Sequence, residues 1–400
     1  MMDNVPKTKF NFSVNPDTLV FGYVDREVSA RHDCLQKAKE NPGTSWKQWY
    51  KAMIERDLIN TPQSVRELLR NNARVLRDGR FFGPGNNIVQ ENMLYSALAE
   101  QEGLKKIKKY MGVVYELSEE EQATVDAFFS QIYQLKRDPV IVKKVERANQ
   151  NRAHISRLWK NNEEHIMSHI ARIVGDIPEF AEKKTSEVDV LLLDSKSNTQ
   201  RTIPLNKRRT VMIYGKDSVN ERETDVRTLA SLTHQAIHQP ILPYKPGMTE
   251  EDKKAYHAFI KFLTDKEVYT LYTGRSALAL KTVGEDSELM GLVYPYYLGY
   301  KYRNARAEGL DPVQLISAEI ARDKQFYDSI TDMRVKKRFA SYEFEQLDPK
   351  KIAHFFVGKR NISPYKFAQI NFHNRYDVIK DRGAQAQEAK VPDMHDHEAK

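Results

Sequence analysis

The segment ETDVRTLASLTHQAIHQ, residues 223–239, carries the pattern that decides the fold of the second half of this 400-residue chain. Its apolar residues recur at intervals of three and four, which is typical of an amphipathic helix. His234 and His238 are four residues apart, so both imidazoles project from one face of that helix, about 6 Å apart along its axis. This spacing allows two imidazoles to bind one metal ion.

Short apolar segments before this helix predict a small β-sheet of about three strands. VDVLLLD (188–194) and RTVMIYG (209–215) are bounded by polar residues, and a shorter strand is expected around Thr202–Leu205. The strand Arg209–Gly215, the last of the three along the chain, is expected to form an edge of the sheet. Helical patterns surround the strands at 141–173, 250–263, 265–281, 286–303 and from Asp311-Pro312 to Ile330.

The first part of the chain reads as helical, with a capping box formed by Ser118 and Glu121 before AFFSQIYQL. FFGPGNN at 81–87 predicts a loop. The pattern predicts an α+β, mostly helical protein with three regions. These are a helical domain at 1–145, a mixed domain at 146–345 that holds the sheet, and a helical extension with a disordered tail at 346–400.

Composition excludes several classes of protein. The single cysteine, Cys34, excludes a disulfide framework and a metal site built from several thiolates, and it is interpreted as an ordinary helical residue. No apolar run approaches the roughly 20 residues that span a bilayer. The first residues lack a secretory signal pattern, which leaves export by a dedicated secretion system open and the location undetermined.

The net charge of +8 is compatible with an acidic partner such as nucleic acid. The basic residues are spread along the chain, however, and the densest cluster is only Lys207, Arg208 and Arg209. A solvated basic surface is therefore favoured over nucleic-acid binding. The sequence gives no indication of the oligomeric state.

The HQAIH segment, its apolar lead-in and the order of helix, short sheet, motif helix and further helices resemble the zincins. These are metallopeptidases whose motif helix carries HExxH, and the resemblance is closest to the compact domains of bacterial toxins and secreted effectors. It covers about residues 150–330. It implies a zinc cofactor, a peptide or protein substrate, and zinc binding by His234 and His238.

Position 235 departs from the zincin pattern, because Gln235 stands where the family has the Glu that acts as the general base. An amide cannot accept and return a proton at neutral pH, so peptide hydrolysis is expected to be absent or impaired. Zinc binding and substrate positioning can survive, since Gln is nearly isosteric with Glu. The Gln is either a natural feature of a degenerate zincin or an engineered substitution.

The resemblance also implies a third zinc ligand, for which Glu267 on the following helix is preferred and Glu285 and Glu288 are alternatives. A tyrosine hydroxyl often stabilises the developing oxyanion in this family, and Tyr272 is the candidate. The alternative for the tyrosines is an aromatic core.

Substrate contacts are expected from the strand at the sheet edge, to which an extended peptide can add. Arg209 and Tyr214 are the candidates, and the basic flanks of the strand indicate acidic residues near the scissile bond.

Other histidines are interpreted as structural. His165 and His169 form a second pair with helical spacing; they would make a second metal site only with Glu163 or Glu164. His257 is expected on a helix surface or in the core. Two other functions stay open: a non-enzymatic helical interaction protein, and a nucleic-acid-binding basic protein.

Overall fold

The computed structural model describes residues 8–17, 62–72, 117–174, 186–194, 200–205, 208–215, 221–241, 249–274, 285–331 and 347–356. It also describes scattered positions between 19 and 51, and residues 105, 108, 344, 364 and 367. Helices dominate these residues, so the predicted mostly helical character is confirmed. The predicted loop at 81–87 and the predicted disordered tail lie outside them.

Eight α-helices have both ends within the described residues. They are α1 (Gln63–Asn71), α2 (Glu119–Leu135), α3 (Pro139–Val174), α4 (Glu221–Ile241), α5 (Glu250–Thr273), α6 (Glu285–Lys301), α7 (Pro312–Asp328) and α8 (Pro349–Phe356). None of the helices described here is both long and apolar enough to cross a membrane.

The helix ends follow the signals in the sequence. Ser118 Oγ accepts a hydrogen bond from the Glu121 amide, and the Glu121 carboxylate accepts one from the Ser118 amide, so the predicted capping box is confirmed. Asp311 caps α7 and Pro312 is its first residue, also as predicted. Helix α5 is continuous where the sequence predicted two helices, and it ends because Gly274 adopts the left-handed conformation.

The sheet has four strands: β1 (Thr8–Ser13), β2 (Ser186–Asp194), β3 (Gln200–Leu205) and β4 (Arg208–Gly215), in the spatial order β1-β2-β4-β3. The last three are the predicted strands. Strand β4 pairs in parallel with β2 and antiparallel with β3. Strand β1 was not predicted, because its alternating TKFNFS pattern is short and lies far from the other strands in the sequence.

The prediction that Arg209–Gly215 forms the sheet edge is wrong. Strand β4 lies between β2 and β3, which use its backbone hydrogen-bonding groups on both sides. Among the described strands, β1 and β3 lie at the two edges, so an added peptide strand would pair with one of them. Arg209 and Tyr214 lie on the inner strand β4, and their proposed contact with substrate has lost the support that the edge gave it.

The chain divides into two compact units. The sheet unit contains Thr8–Leu158 and Glu187–Val219, and the helical unit contains Met1–Lys7, Trp159–Ser186 and Asn220–Lys400. The division groups the strands with the residues before 159, whereas the sequence grouped them with the helices that follow. The boundaries predicted at 145 and 345 remain predictions.

The core of the sheet unit is built from the apolar faces of α1, α2 and the start of α3. Phe128, Phe129 and Ile132 of α2 are fully buried there, and Leu191 of β2 belongs to the same cluster. Two side-chain contacts join β1 to β2. Lys9 forms an ion pair with Glu187, and Asn11 donates a hydrogen bond to Asp189. Cys34, which is helical and fully buried, fits its interpretation as a structural residue.

The helical unit holds α4 to α8 around an aromatic core. Phe259 of α5 contacts Tyr296 and Tyr300 of α6 edge to face, and Phe356 of α8 packs on Tyr296. Such aromatic pairs contribute about 0.5–1.5 kcal/mol each beyond the area they bury. This packing fixes α5, α6 and α8 against one another, and it positions the polar residues described next.

Candidate metal site and buried charge network

Helix α4 places the first four residues of the HQAIH segment, 234–237, in the interior of the helical unit. His234 is 7% exposed and Gln235 is 4% exposed, and the following Ala236 and Ile237 are fully buried. His238 lies one turn beyond His234 on the same helix, but its side chain is outside the described residues. Residues 234–237 of the motif therefore belong to the packed part of α4.

The imidazole of His257 on α5 lies against the imidazole of His234. The two ring centroids are 5.1 Å apart and the ring planes are nearly perpendicular, at 86°. His257 itself is exposed, so this pair of rings reaches from the buried side of α4 to the protein surface. The sequence predicted a surface or core position for His257, and the tertiary structure adds its contact with the first histidine of the motif.

Gln235 is a buried amide. Its Oε1 atom is shielded from solvent and has no hydrogen-bond partner among the described residues. A buried acceptor without a partner costs about 1–3 kcal/mol. An amide that is kept at such a cost is a candidate for contact with a ligand.

Glu267, the preferred third zinc ligand, is held by three side chains of the helical unit. Lys301 Nζ lies 2.8 Å from Oε1, and His169 Nε2 lies 2.7 Å from Oε2. The Tyr297 hydroxyl also donates a hydrogen bond to Oε1. Both carboxylate oxygens therefore have protein partners, and a metal ion at Glu267 would compete with Lys301, His169 and Tyr297 for the carboxylate.

Glu267 is one member of a larger buried network in which α5, α6 and α7 meet. Lys266 Nζ lies 2.7 Å and 2.6 Å from the two carboxylate oxygens of Asp323, and 3.3 Å from Glu319. Lys301 also pairs with Glu319, at 3.1 Å. The side chains of Lys266, Glu319 and Asp323 are at most 1% exposed. Two ammonium groups thus lie among three carboxylates in the protein interior.

Tyrosine hydroxyls complete the hydrogen bonding of this network. Tyr294 donates to Asp323, Tyr297 contacts both Glu267 and Glu319, and Tyr302 donates to Glu319. Buried charges are tolerated when their remaining hydrogen-bonding capacity is satisfied in this way.

Burial and the neighbouring charges shift the pKa values of the network in opposite directions. Burial raises the pKa of Glu267, but His169, Lys301 and Tyr297 outweigh it and lower the pKa to about 2. Burial also raises the pKa of Glu319, and Lys301 and Lys266 outweigh it there as well, so that pKa is lowered. At Asp323 burial prevails over Lys266, and the pKa is raised.

The remaining predicted site residues are distributed over several elements. Tyr272 of α5 donates a hydrogen bond to Asn162 Oδ1 at 2.7 Å, and burial raises the pKa of its hydroxyl. Glu285 and Glu288 lie in the first turn of α6, and their side chains are outside the described residues. The roles assigned to these three residues remain predictions.

The second histidine pair belongs to the part of α3 in the helical unit. His169 binds Glu267, and His165 lies 6.4 Å from the ring of Tyr272, centroid to centroid. Within the described ranges, no group of three or more His, Cys, Asp and Glu side chains is placed to hold a metal ion.

The charge network was not predicted from the sequence, although the spacing of its polar residues along α6 and α7 indicates it. Glu319 and Asp323 are four residues apart, so they share one face of α7, and Tyr294, Tyr297 and Lys301 share one face of α6. Polar residues on an otherwise apolar face indicate buried partners. Which helices would bring those faces together could not be read from the sequence.

The low pKa of Glu267 predicts how stability depends on pH. Its folded pKa of about 2 lies below the ordinary 4.5, so the ionised carboxylate stabilises the fold above about pH 4.5. The stabilisation is lost as the pH falls from about 4.5 towards 2. A Glu267→Gln variant should lose up to about 3 kcal/mol at pH 7, and its deficit should shrink over that window. Urea titrations at several pH values measure both.

The comparison with the variant isolates Glu267, because Asp265 and Asp323, whose pKa values are raised, are present in both proteins. Glu250→Gln is the matched control, since Glu250 is exposed at the start of the same helix. Its curve should follow that of the unmodified protein. Equal pH dependence for Glu267→Gln and the unmodified protein would contradict the prediction.

No protein-family model, no curated protein and no solved structure matches the chain.

Proposed function

We propose that this chain is a zincin-like protein that binds zinc and a peptide, and that its peptide hydrolysis is impaired because Gln235 replaces the general base. The observation that carries the proposal is the burial of residues 234–237 of the HQAIH segment on α4, with a further imidazole in contact with His234. The order along the chain of long helix, mixed sheet, motif helix and further helices also supports it. A role as a toxin or secreted effector would follow from the same resemblance.

Two of the three predicted ligands suit a zinc ion, and the third suits it less well. His234 and His238 provide two imidazoles at the spacing that zinc sites use. Glu267 fits less well, because Lys301, His169 and Tyr297 occupy its carboxylate. The proposal therefore rests on the two histidines of α4 and not on Glu267.

In this proposal each residue of the motif has a separate task. Zinc bound at such a site supplies a Lewis acid and lowers the pKa of its water. His234 and His238 hold the ion, and the burial of α4 keeps His234 fixed before binding. Gln235 can donate and accept hydrogen bonds, so it can orient a water molecule or a peptide carbonyl, but its amide cannot take up a proton.

Metal analysis of the full-length chain tests the proposal. The purified protein, dialysed against zinc and then against buffer, should retain one equivalent of zinc, and His234→Ala should lose it. His354→Ala is the matched control, because His354 is an exposed histidine on α8 of the same unit. A protein that retains no zinc, or a His234→Ala variant that retains it fully, would overturn the proposal.

A further inference from the structure

We propose that His257 is the third zinc ligand, so that the metal site consists of three histidines, His234 and His238 from α4 and His257 from α5. The inference rests on the proposed function for the presence of zinc at α4. It differs from the sequence-based prediction, which assigned the third position to a carboxylate. Helices α4 and α5 pack against each other, so a metal ion can link them.

The separation of the two described rings fits two ligands of one ion. An imidazole nitrogen binds zinc at about 2.0–2.1 Å, which places the ring centroid about 3.2 Å from the metal. At a tetrahedral angle two such centroids lie about 5.2 Å apart. The centroids of His234 and His257 are 5.1 Å apart. An edge-to-face contact between two imidazoles without a metal gives a similar distance, and the experiment below separates the two cases.

The proposed site has one buried ligand, His234, and one solvent-exposed ligand, His257. His234 is 7% exposed, whereas His257 is an exposed residue of α5. An ion could therefore enter from solvent, and a fourth position could be filled by water or substrate, as in catalytic zinc sites with three protein ligands. Gln235, whose buried Oε1 has no partner among the described residues, is the neighbour of His234 in the sequence.

The contacts of Glu267 favour this assignment. If a metal ion at Glu267 replaced the ammonium of Lys301, then Lys301, which is 17% exposed, would keep Glu319 as its one carboxylate partner among the described residues. Binding by His257 breaks no ion pair of that network. A set of three imidazoles is also well suited to zinc.

The experiment compares zinc affinity in full-length variants by competition with a chromophoric chelator. His257→Ala should weaken the Kd for zinc by about 100-fold or more, since even the loss of a group that merely supports a ligand costs 10–100-fold. Glu267→Gln and the control His354→Ala should change the Kd by less than about threefold. Circular dichroism of the metal-free variants checks that each one folds.

Cobalt substitution provides a readout that a purely structural histidine would not affect. His257→Cys should retain the metal and add a thiolate-to-cobalt charge-transfer band that the unmodified protein lacks. Zinc binding that is lost in His234→Ala and kept in His257→Ala would overturn this inference and leave the proposed function standing. Zinc binding absent from the unmodified protein would overturn both.

Discussion

Replacing Lys266 by Met should lower the free energy of unfolding by about 3–5 kcal/mol, the cost of removing one partner from a buried ion pair. Lys266 is 1% exposed and contacts both oxygens of Asp323 as well as Glu319. Without the ammonium group, these two carboxylates would remain buried with one cation fewer. Urea denaturation followed by the helical circular dichroism signal measures the loss.

The matched control for Lys266 is on the same helix. Lys253 pairs with Glu250 on the exposed first turn of α5, and such surface pairs contribute about 0–1 kcal/mol. Lys253→Met should therefore have a small effect. Similar losses for the two variants would show that the buried network stabilises the fold no more than a surface ion pair does.

A double variant distinguishes lost charge pairing from lost packing. Lys266→Met combined with Asp323→Asn removes both charges but leaves the Tyr294 hydroxyl with an acceptor. Because one of the two carboxylates that lost this cation is gone, the double variant should be more stable than Lys266→Met alone. Additive losses would instead assign the effect to packing around the lysine side chain.

Replacing Gln235 by Glu should raise the rate of peptide hydrolysis of the zinc-loaded protein by about 10²–10⁴-fold, the usual contribution of a positioned general base. The substitution changes only an amide to a carboxylate of nearly the same shape. It also supplies an ionisable group at the position where the amide oxygen is buried without a partner among the described residues. Cleavage of a peptide library, analysed by mass spectrometry, measures the gain and reports the preferred sequence.

Two controls accompany this variant. Gln235→Ala should show no gain, and Gln235→Glu combined with His234→Ala should be inactive because it lacks a proposed zinc ligand. If Gln235→Glu binds zinc but cleaves no peptide, the peptidase part of the proposal is wrong. A non-enzymatic metal-binding or interaction protein would then be the better description.

The peptide sequence that the Gln235→Glu variant prefers to cleave also tests the predicted substrate contacts. The sequence connected acidic substrates with a basic strand edge at Arg209, but the structure places that strand inside the sheet. A cleavage preference without acidic residues is therefore compatible with the fold. Replacement of Arg209 should matter only if its side chain contacts substrate by another route.

Local interactions explain why much of the secondary structure was predictable. The capping box at Ser118, the Asp311-Pro312 helix start and the apolar runs of β2 and β4 all depend on residues close together in sequence. The interval of four residues between His234 and His238 likewise follows from the helical repeat alone. These features are set by backbone geometry over one or two turns.

Tertiary structure decided the features that depend on residues far apart in sequence. Strand β1 joins β2 across more than 170 residues, and its addition to the sheet could not be seen in a six-residue pattern. The position of β4 between two neighbours changed an expected edge into an inner strand. Strand order depends on long-range pairing, which a local pattern does not encode.

The same distinction applies to the candidate site. The sequence by itself determined that α4 carries two histidines on one face, with the amide of Gln235 directly after the first of them. Only the tertiary structure decided that Glu267 is bound by Lys301 and His169, and that His257 lies against His234. The physical reason is that helical spacing fixes which residues share a face, whereas packing between helices selects which faces meet.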